Sequence, residues 1–130
     1  MASIFTRIIN REIPAHIVAE DDNYIAFLDI LPLMKGHTLV VPKTEIDYIF
    51  DLGEKKFTGL HLFSATVAKA IKKAIDCKRV AVAVLGMEVP HAHIHLIPMN
   101  VMSDANFSNP KLKLTEEELA VIAQKIRKAF

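Results

Sequence analysis

Apolar positions along the chain change their period several times, and each change marks an element. Ile4, Phe5, Ile8 and Ile9 recur at helical spacing behind Ser3, whose hydroxyl can cap a first turn, and Pro14 breaks the segment. A short helix to about Asn10 is predicted, with those four side chains on its buried side. Residues 16–20 and 24–29 read as two strands joined by the polar turn Asp21-Asp22-Asn23, a hairpin. Residues 30–36 hold Pro32 and Gly36 and form a loop; residues 37–41 are a third strand, ended by Pro42. Residues 44–52 are a short helix or turn. Phe57, Leu60, Phe63, Val67, Ile71 and Ile75 then recur three and four apart, the stripe of a long amphipathic helix over residues 54–76.

Residues 79–85 are nearly all apolar, which predicts a fourth strand that is central in its sheet and covered. Residues 86–90 make a tight connection into a fifth strand over residues 91–98. Residues 99–114 are polar and irregular. Thr115 and Glu118 form a capping box that opens a last helix, with Leu119, Ile122, Ile126 and Phe130 on one face. Five short strands with hairpin-length links predict one α+β domain over residues 1–130, its sheet mainly antiparallel and its helices packed on one face.

Composition narrows the function classes. At 130 residues, 52% hydrophobic and 24% charged, the chain is long enough for a real core and is not disordered. Sixteen basic against fifteen acidic residues leave a net charge of +1, without the basic field that draws a protein to nucleic acid. No apolar run approaches the roughly 20 residues that span a bilayer, and Met1-Ala2-Ser3 runs straight into an amphipathic segment rather than a signal peptide. The single cysteine, Cys77, excludes an intramolecular disulfide and fits a reducing compartment. A cytoplasmic protein with neither a nucleic-acid nor a membrane partner is expected.

The densest chemistry is His91-Ala92-His93-Ile94-His95-Leu96-Ile97-Pro98, which holds three of the six histidines. Alternation puts His91, His93 and His95 on one face of a strand and Ala92, Ile94 and Leu96 on the other. Imidazoles in such a row can form an open zinc site, act as nucleophiles or acid–base groups, or merely coat a solvated face. Solvated faces mix Thr, Lys and Glu rather than repeating His. A zinc site would recruit further ligands, and the chain has no C-x-x-C and no H-E-x-x-H, although His37 or Glu88 could complete one. Catalysis without a metal or cofactor is the favoured reading.

This row resembles the motif of the histidine triad (HIT) superfamily of nucleotide hydrolases and transferases. Other segments are similar to its Hint branch, in order and with similar spacing over residues 4–98. Ile4-Phe5-Thr6-Arg7 through Pro14 resembles the amino-terminal helix and turn. Glu20-Asp21-Asp22, Ala26-Phe27-Leu28-Asp29-Ile30 and Pro32 resemble the next two strands. Lys35-Gly36-His37-Thr38-Leu39-Val40-Val41-Pro42-Lys43 resembles the glycine–histidine strand.

The resemblance implies a nucleotidyl-histidine mechanism. His93 would attack the α-phosphorus of a purine nucleotide conjugate. His95 would donate to a non-bridging oxygen. The carbonyl of His91 would orient His93, and His91 would link the family's fourth histidine, His37, to the others. Asp29 would hold the ribose hydroxyls, and Ile4, Phe5, Ile8, Phe27 and Leu39 would form the base pocket. Each has a plainer reading: a polar strand start for His37, a turn aspartate before Pro32 for Asp29, and ordinary core for the apolar five.

The chain departs from the Hint pattern at Val84-Leu85-Gly86-Met87-Glu88-Val89-Pro90, where an Asn and a Gly-Gln-Ser-type segment contact the phosphate and leaving group. An ionised Glu88 would repel a phosphate. Either it points away, or it acts as an acid or base with a raised pKa. Three functions stay open: a nucleotide phosphoramidase or hydrolase, a dinucleoside polyphosphate hydrolase, and a nucleotide-binding protein with weak catalysis. The Hint branch also implies a homodimer, joined through residues 79–85 and the apolar face of the 57–75 helix.

Overall fold

Alternation along the strands divides one sheet into two apolar faces. The computed structural model describes residues Met1–Phe130. Strands β1 (Ile17–Glu20), β2 (Tyr24–Leu28), β3 (Thr38–Pro42), β4 (Arg79–Ala83) and β5 (Ile94–Met99) pair antiparallel throughout, in the order β1-β2-β3-β5-β4. Three helices complete the fold: α1 (Ile4–Ile9), α2 (Glu54–Ala74) and α3 (Glu116–Lys128). A 3-10 turn, Ile49–Asp51, stands where a short helix or turn is expected.

On one face Val18, Ala26, Leu28, Val40, Ile94 and Leu96 pack against Leu60, Val67 and Ile71 of α2 and Leu119, Ile122 and Ile126 of α3. Leu60, Val67 and Ile71 are wholly buried, and burial of each such side chain contributes about 2 kcal/mol. Thr115 accepts from the Glu118 N–H while Glu118 accepts from the Thr115 N–H, both at 3.1 Å, so the expected capping box starts α3. The other face carries a smaller cluster: Ile25, Phe27, Leu39 and Val41, covered by Phe5 and Ile8 of α1.

Three expectations are corrected. Helices α2 and α3 share a face, but α1 lies on the opposite one, because the small patch on β2 and β3 needs only the two buried side chains of a short helix. Ile4 is accordingly exposed. Strand β4 is not central: it forms the sheet edge, with Val82 exposed on it and Leu85 exposed beyond its end at Ala83, and β5 is the interior strand beside it. An all-apolar run does not by itself fix burial, because a strand's place in the sheet, and what covers it, depends on partners far away in sequence. Phe130 is exposed beyond the end of α3 rather than packed on its buried face. No helix is long and apolar enough to cross a membrane.

Candidate active site

The pairing register assembles the histidine face. Phe27 lies opposite Leu39, and Leu39 opposite His95, so these three side chains stand side by side across β2, β3 and β5. His37 is carried in just before β3 by Gly36, whose φ of +94° favours glycine. A Cβ on Gly36 would also stand 2.9 Å from Ile75 Cγ1, so the loop closes onto the end of α2 only with glycine there.

The fifth strand is shorter than expected, since pairing begins at Ile94. His91 and His93 precede it, and the Ala92 N–H between them tethers the segment to the Ile46 carbonyl at 2.7 Å. The alternation survives nonetheless. Ala92, Ile94 and Leu96 enter the large core, and His91, His93 and His95 are buried on the other face.

Hydrogen-bond partners set the tautomers. His93 Nδ1 stands 2.7 Å from the His91 carbonyl, which only accepts, so Nδ1 carries the proton and Nε2 keeps a lone pair. The Leu33 N–H donates to His37 Nδ1 at 3.1 Å, which leaves the His37 proton on Nε2. That proton is donated to His95 Nδ1 at 3.0 Å, so the proton of His95 sits on its own Nε2.

Burial, with the charges of neighbouring His95 and Lys111, drives the His37 pKa down to about 3. Burial, with His93 and Lys111, drives that of His95 down to about 4. Both rings are therefore neutral near pH 7, as this proton order requires. Phe5 meets the His93 ring edge to face at 4.9 Å, and Phe107 meets that of His95 at 4.9 Å; these apolar rings help keep the imidazoles dry.

His91 does not link His37 to the others. Its Nε2–H donates to the Pro42 carbonyl at 2.8 Å and its Nδ1 accepts from the Ser3 hydroxyl at 2.7 Å, whereas His95 contacts His37. With both nitrogens of His91 engaged, a zinc site on His91, His93 and His95 would have to break at least one of these bonds. The donors that do converge are Asp29, His37 and His95, whose ligating atoms lie within 4.8 Å of one another. A cation there would have to displace the proton shared by the two imidazoles.

A cleft of about 390 Å³ opens over His93 and His95. Ile4, Phe5, Leu39 and Asp29 line it; Ile8 and Phe27 lie instead in the cluster behind Phe5. Asp29 sits in a turn and also borders the cleft: Oδ1 accepts the Leu31 N–H at 3.0 Å, while Oδ2 stands 3.8 Å from His37 Nε2. Burial raises its pKa. Glu88 is among the residues that line the same cleft.

Phe107 and Lys111 also line it, from a segment whose polarity and irregular spacing mark it only as a loop. An aromatic residue in an otherwise polar stretch, Phe107 itself, is the one hint of this in the sequence.

A family model described as HIT domain matches residues 10–102. A solved Hit-like protein from Bartonella henselae is 33% identical, superposes with a TM-score of 0.85, and the match covers 98% of this chain and 96% of that one. A HIT-like protein of Borreliella burgdorferi is 34% identical over 131 residues, 95% of this chain and 94% of its own. The adenosine 5′-monophosphoramidase of Saccharomyces cerevisiae is 36% identical over 100 residues, 75% of this chain and 62% of its own. The triad, the sheet that carries it and these matches agree: the chain belongs to the HIT domain family.

Proposed function

We propose that this protein hydrolyses purine nucleotide conjugates at the α-phosphate, as a nucleotide phosphoramidase, through a covalent intermediate on His93. The observation that carries this reading is the proton order of the triad. His93 offers a lone pair on Nε2, and His95, its ring 4.9 Å away, carries an N–H on Nε2. A nucleophile and an oxyanion donor thus stand side by side in a buried cleft. The relationship to the yeast adenosine 5′-monophosphoramidase supports the reaction class.

In the first step His93 Nε2 attacks the α-phosphorus, an N–P bond forms, and the bond from phosphorus to the leaving amine breaks. The amine departs with a proton taken up from solvent. In the second step water attacks phosphorus and the N–P bond breaks. The mononucleotide leaves, His93 is again neutral, and the proton returns to solvent. His95 donates to a non-bridging oxygen in both steps. Asp29 holds the ribose, and Ile4, Phe5 and Leu39 enclose the base. Lys111 on the rim favours a second reading, dinucleoside polyphosphate hydrolysis, because a cation there suits additional phosphates; Glu88 on the same cleft opposes it.

The test is turnover of adenosine 5′-phosphoramidate beside a diadenosine polyphosphate. The amidate is expected to react faster, and its turnover to survive exhaustive chelation. His93→Ala is expected to lose at least 10³-fold, on the order of what an essential covalent nucleophile supplies. His93→Gly should regain part of the rate with added imidazole. Peptide mass spectrometry of a trapped sample should place one nucleotidyl group on His93. Undiminished turnover in His93→Ala would sink the mechanism, and binding without turnover of either substrate would leave a nucleotide-binding protein.

A further inference from the structure

Outside the cleft, four polar side chains from distant parts of the chain meet behind the triad. Ser3 and Thr6 come from the cap and first turn of α1, Glu45 from the connection after β3, and His91 from the segment leading into β5. Glu45 Oε1 accepts the Ser3 N–H at 2.7 Å and the Thr6 hydroxyl at 2.6 Å. The Thr6 N–H in turn donates to Ser3 Oγ at 3.0 Å. Because the His91 proton lies on Nε2, facing the Pro42 carbonyl, Nδ1 accepts, and Ser3 Oγ donates to it at 2.7 Å.

His91 is fully buried, and its other ring nitrogen donates to the Pro42 carbonyl. The His91 main-chain carbonyl is the group that receives the Nδ1 proton of His93. Because pairing of β5 starts only at Ile94, no ladder bond aligns that carbonyl; its peptide unit is held by the Ala92 N–H bond to the Ile46 carbonyl on one side and by the anchored His91 ring on the other.

We infer that Glu45 is a positioning residue for the reaction: through Thr6, Ser3 and His91 it keeps the His91 carbonyl where it pins the proton of His93 on Nδ1 and leaves Nε2 free to attack. This rests on His93 being the reacting residue proposed above. Glu45 itself lies on the surface and touches no substrate. The Thr6 hydroxyl and then the Ser3 N–H hold its pKa down to about 2, so it remains an ionised acceptor at any working pH. The same bonds tie α1, and with it Ile4 and Phe5, to the histidine segment. Loosening them would therefore disturb His93 and one wall of the cleft together.

The decisive readout is the tautomer of His93, followed by the ring nitrogens in two-bond ¹H–¹⁵N spectra of the full chain without substrate. The wild type should show a single form protonated on Nδ1. Glu45→Ala should shift His93 toward the mixed tautomers of a free imidazole and lower kcat about tenfold, the scale of a modest loss of orientation. Glu45→Gln, which keeps an acceptor oxygen, should restore most of both. Thr6→Val removes only the hydroxyl link and should move the spectrum the same way, which keeps the test open if Glu45→Ala fails to fold.

An unchanged His93 tautomer in Glu45→Ala and in Thr6→Val would overturn the inference. A tautomer shift in a protein that turns over no nucleotide would leave the clasp standing and refute the hydrolase reading instead.

Discussion

His93 and His95 are the same amino acid two positions apart, yet they present opposite groups to the cleft. One offers a lone pair and the other a proton, because one ring is tied to a carbonyl and the other to an imidazole that is itself fed by the Leu33 N–H. Nothing in the spacing of the motif distinguishes them. Glu88 is the residue whose chemistry conflicts most with an anionic substrate, and it lines the cleft. Glu88→Gln should raise kcat/KM for a diadenosine polyphosphate about fivefold and change that for the uncharged-amine phosphoramidate less than about twofold. A factor of five is about 1 kcal/mol, the size of one exposed charge–charge term. Parallel initial-rate measurements on the two substrates check this, and an equal change for both would show that the carboxylate does not sense the leaving group.

Among the elements, local signals and packing contribute separately. The start of α3 is legible because a capping box lies within four residues, and Thr115→Ala should destabilise the fold by about 1 kcal/mol without altering kcat, as read by chemical denaturation beside a turnover assay. A kcat loss matching the stability loss would place Thr115 in the site instead. The stripe of α2 is equally legible from its period. The histidine strand is legible in its alternation but not in its start: its pairs depend on β3 and β4, and the pairing with β3 reaches back only to Ile94. The position of β4 in the sheet is hidden for a related reason, since apolar residues on both faces do not tell an interior strand from an edge.

Across the molecule as a whole, buried neutral histidines couple stability to pH. His37 and His95 titrate near 3 and 4 in the fold, below the ordinary value of 6.5. Between pH 6.5 and about 3 the unfolded chain therefore binds more protons than the folded one, and stability rises with pH. Stability should be unaffected by these two groups above pH 7 and fall by a few kcal/mol between pH 6.5 and 4, since a tenfold difference in proton affinity between the two states is worth about 1.4 kcal/mol. Thermal melts across that range check it, with His37→Gln expected to flatten the slope; a slope unchanged by that substitution would assign the acid sensitivity elsewhere.

The apolar stripe of α2 is spent on the sheet, so it is not free to join two copies. The open edge of β4, with Val82 exposed upon it and Leu62 exposed on neighbouring α2, is the surface we propose for a homodimer, in which two β4 strands pair antiparallel across a two-fold axis. Light scattering at micromolar concentration should give twice the 14.5 kDa chain mass, and the monomer mass would rule the dimer out as the working state.

Element types, the α+β class, the one-faced histidine row and the family can all be read from the chain alone, because each is written in short-range periodicity or a local motif. Other features exist only once the chain is packed. Among them are the choice of His95 as the histidine that contacts His37, the gathering of Phe107, Lys111 and Glu88 around the triad's cleft, and the placing of Ile8 and Phe27 behind that cleft rather than on its wall. These arrangements bring together residues far apart in sequence, such as Asp29 and Phe107 on one cleft, and beyond the lone aromatic Phe107 they leave little trace in any local pattern. Hydrophobic period marks a face that can leave water; whether a given side chain on it meets a core, a cleft or solvent, as Ile4 and Phe130 do, depends on the surface packed against it.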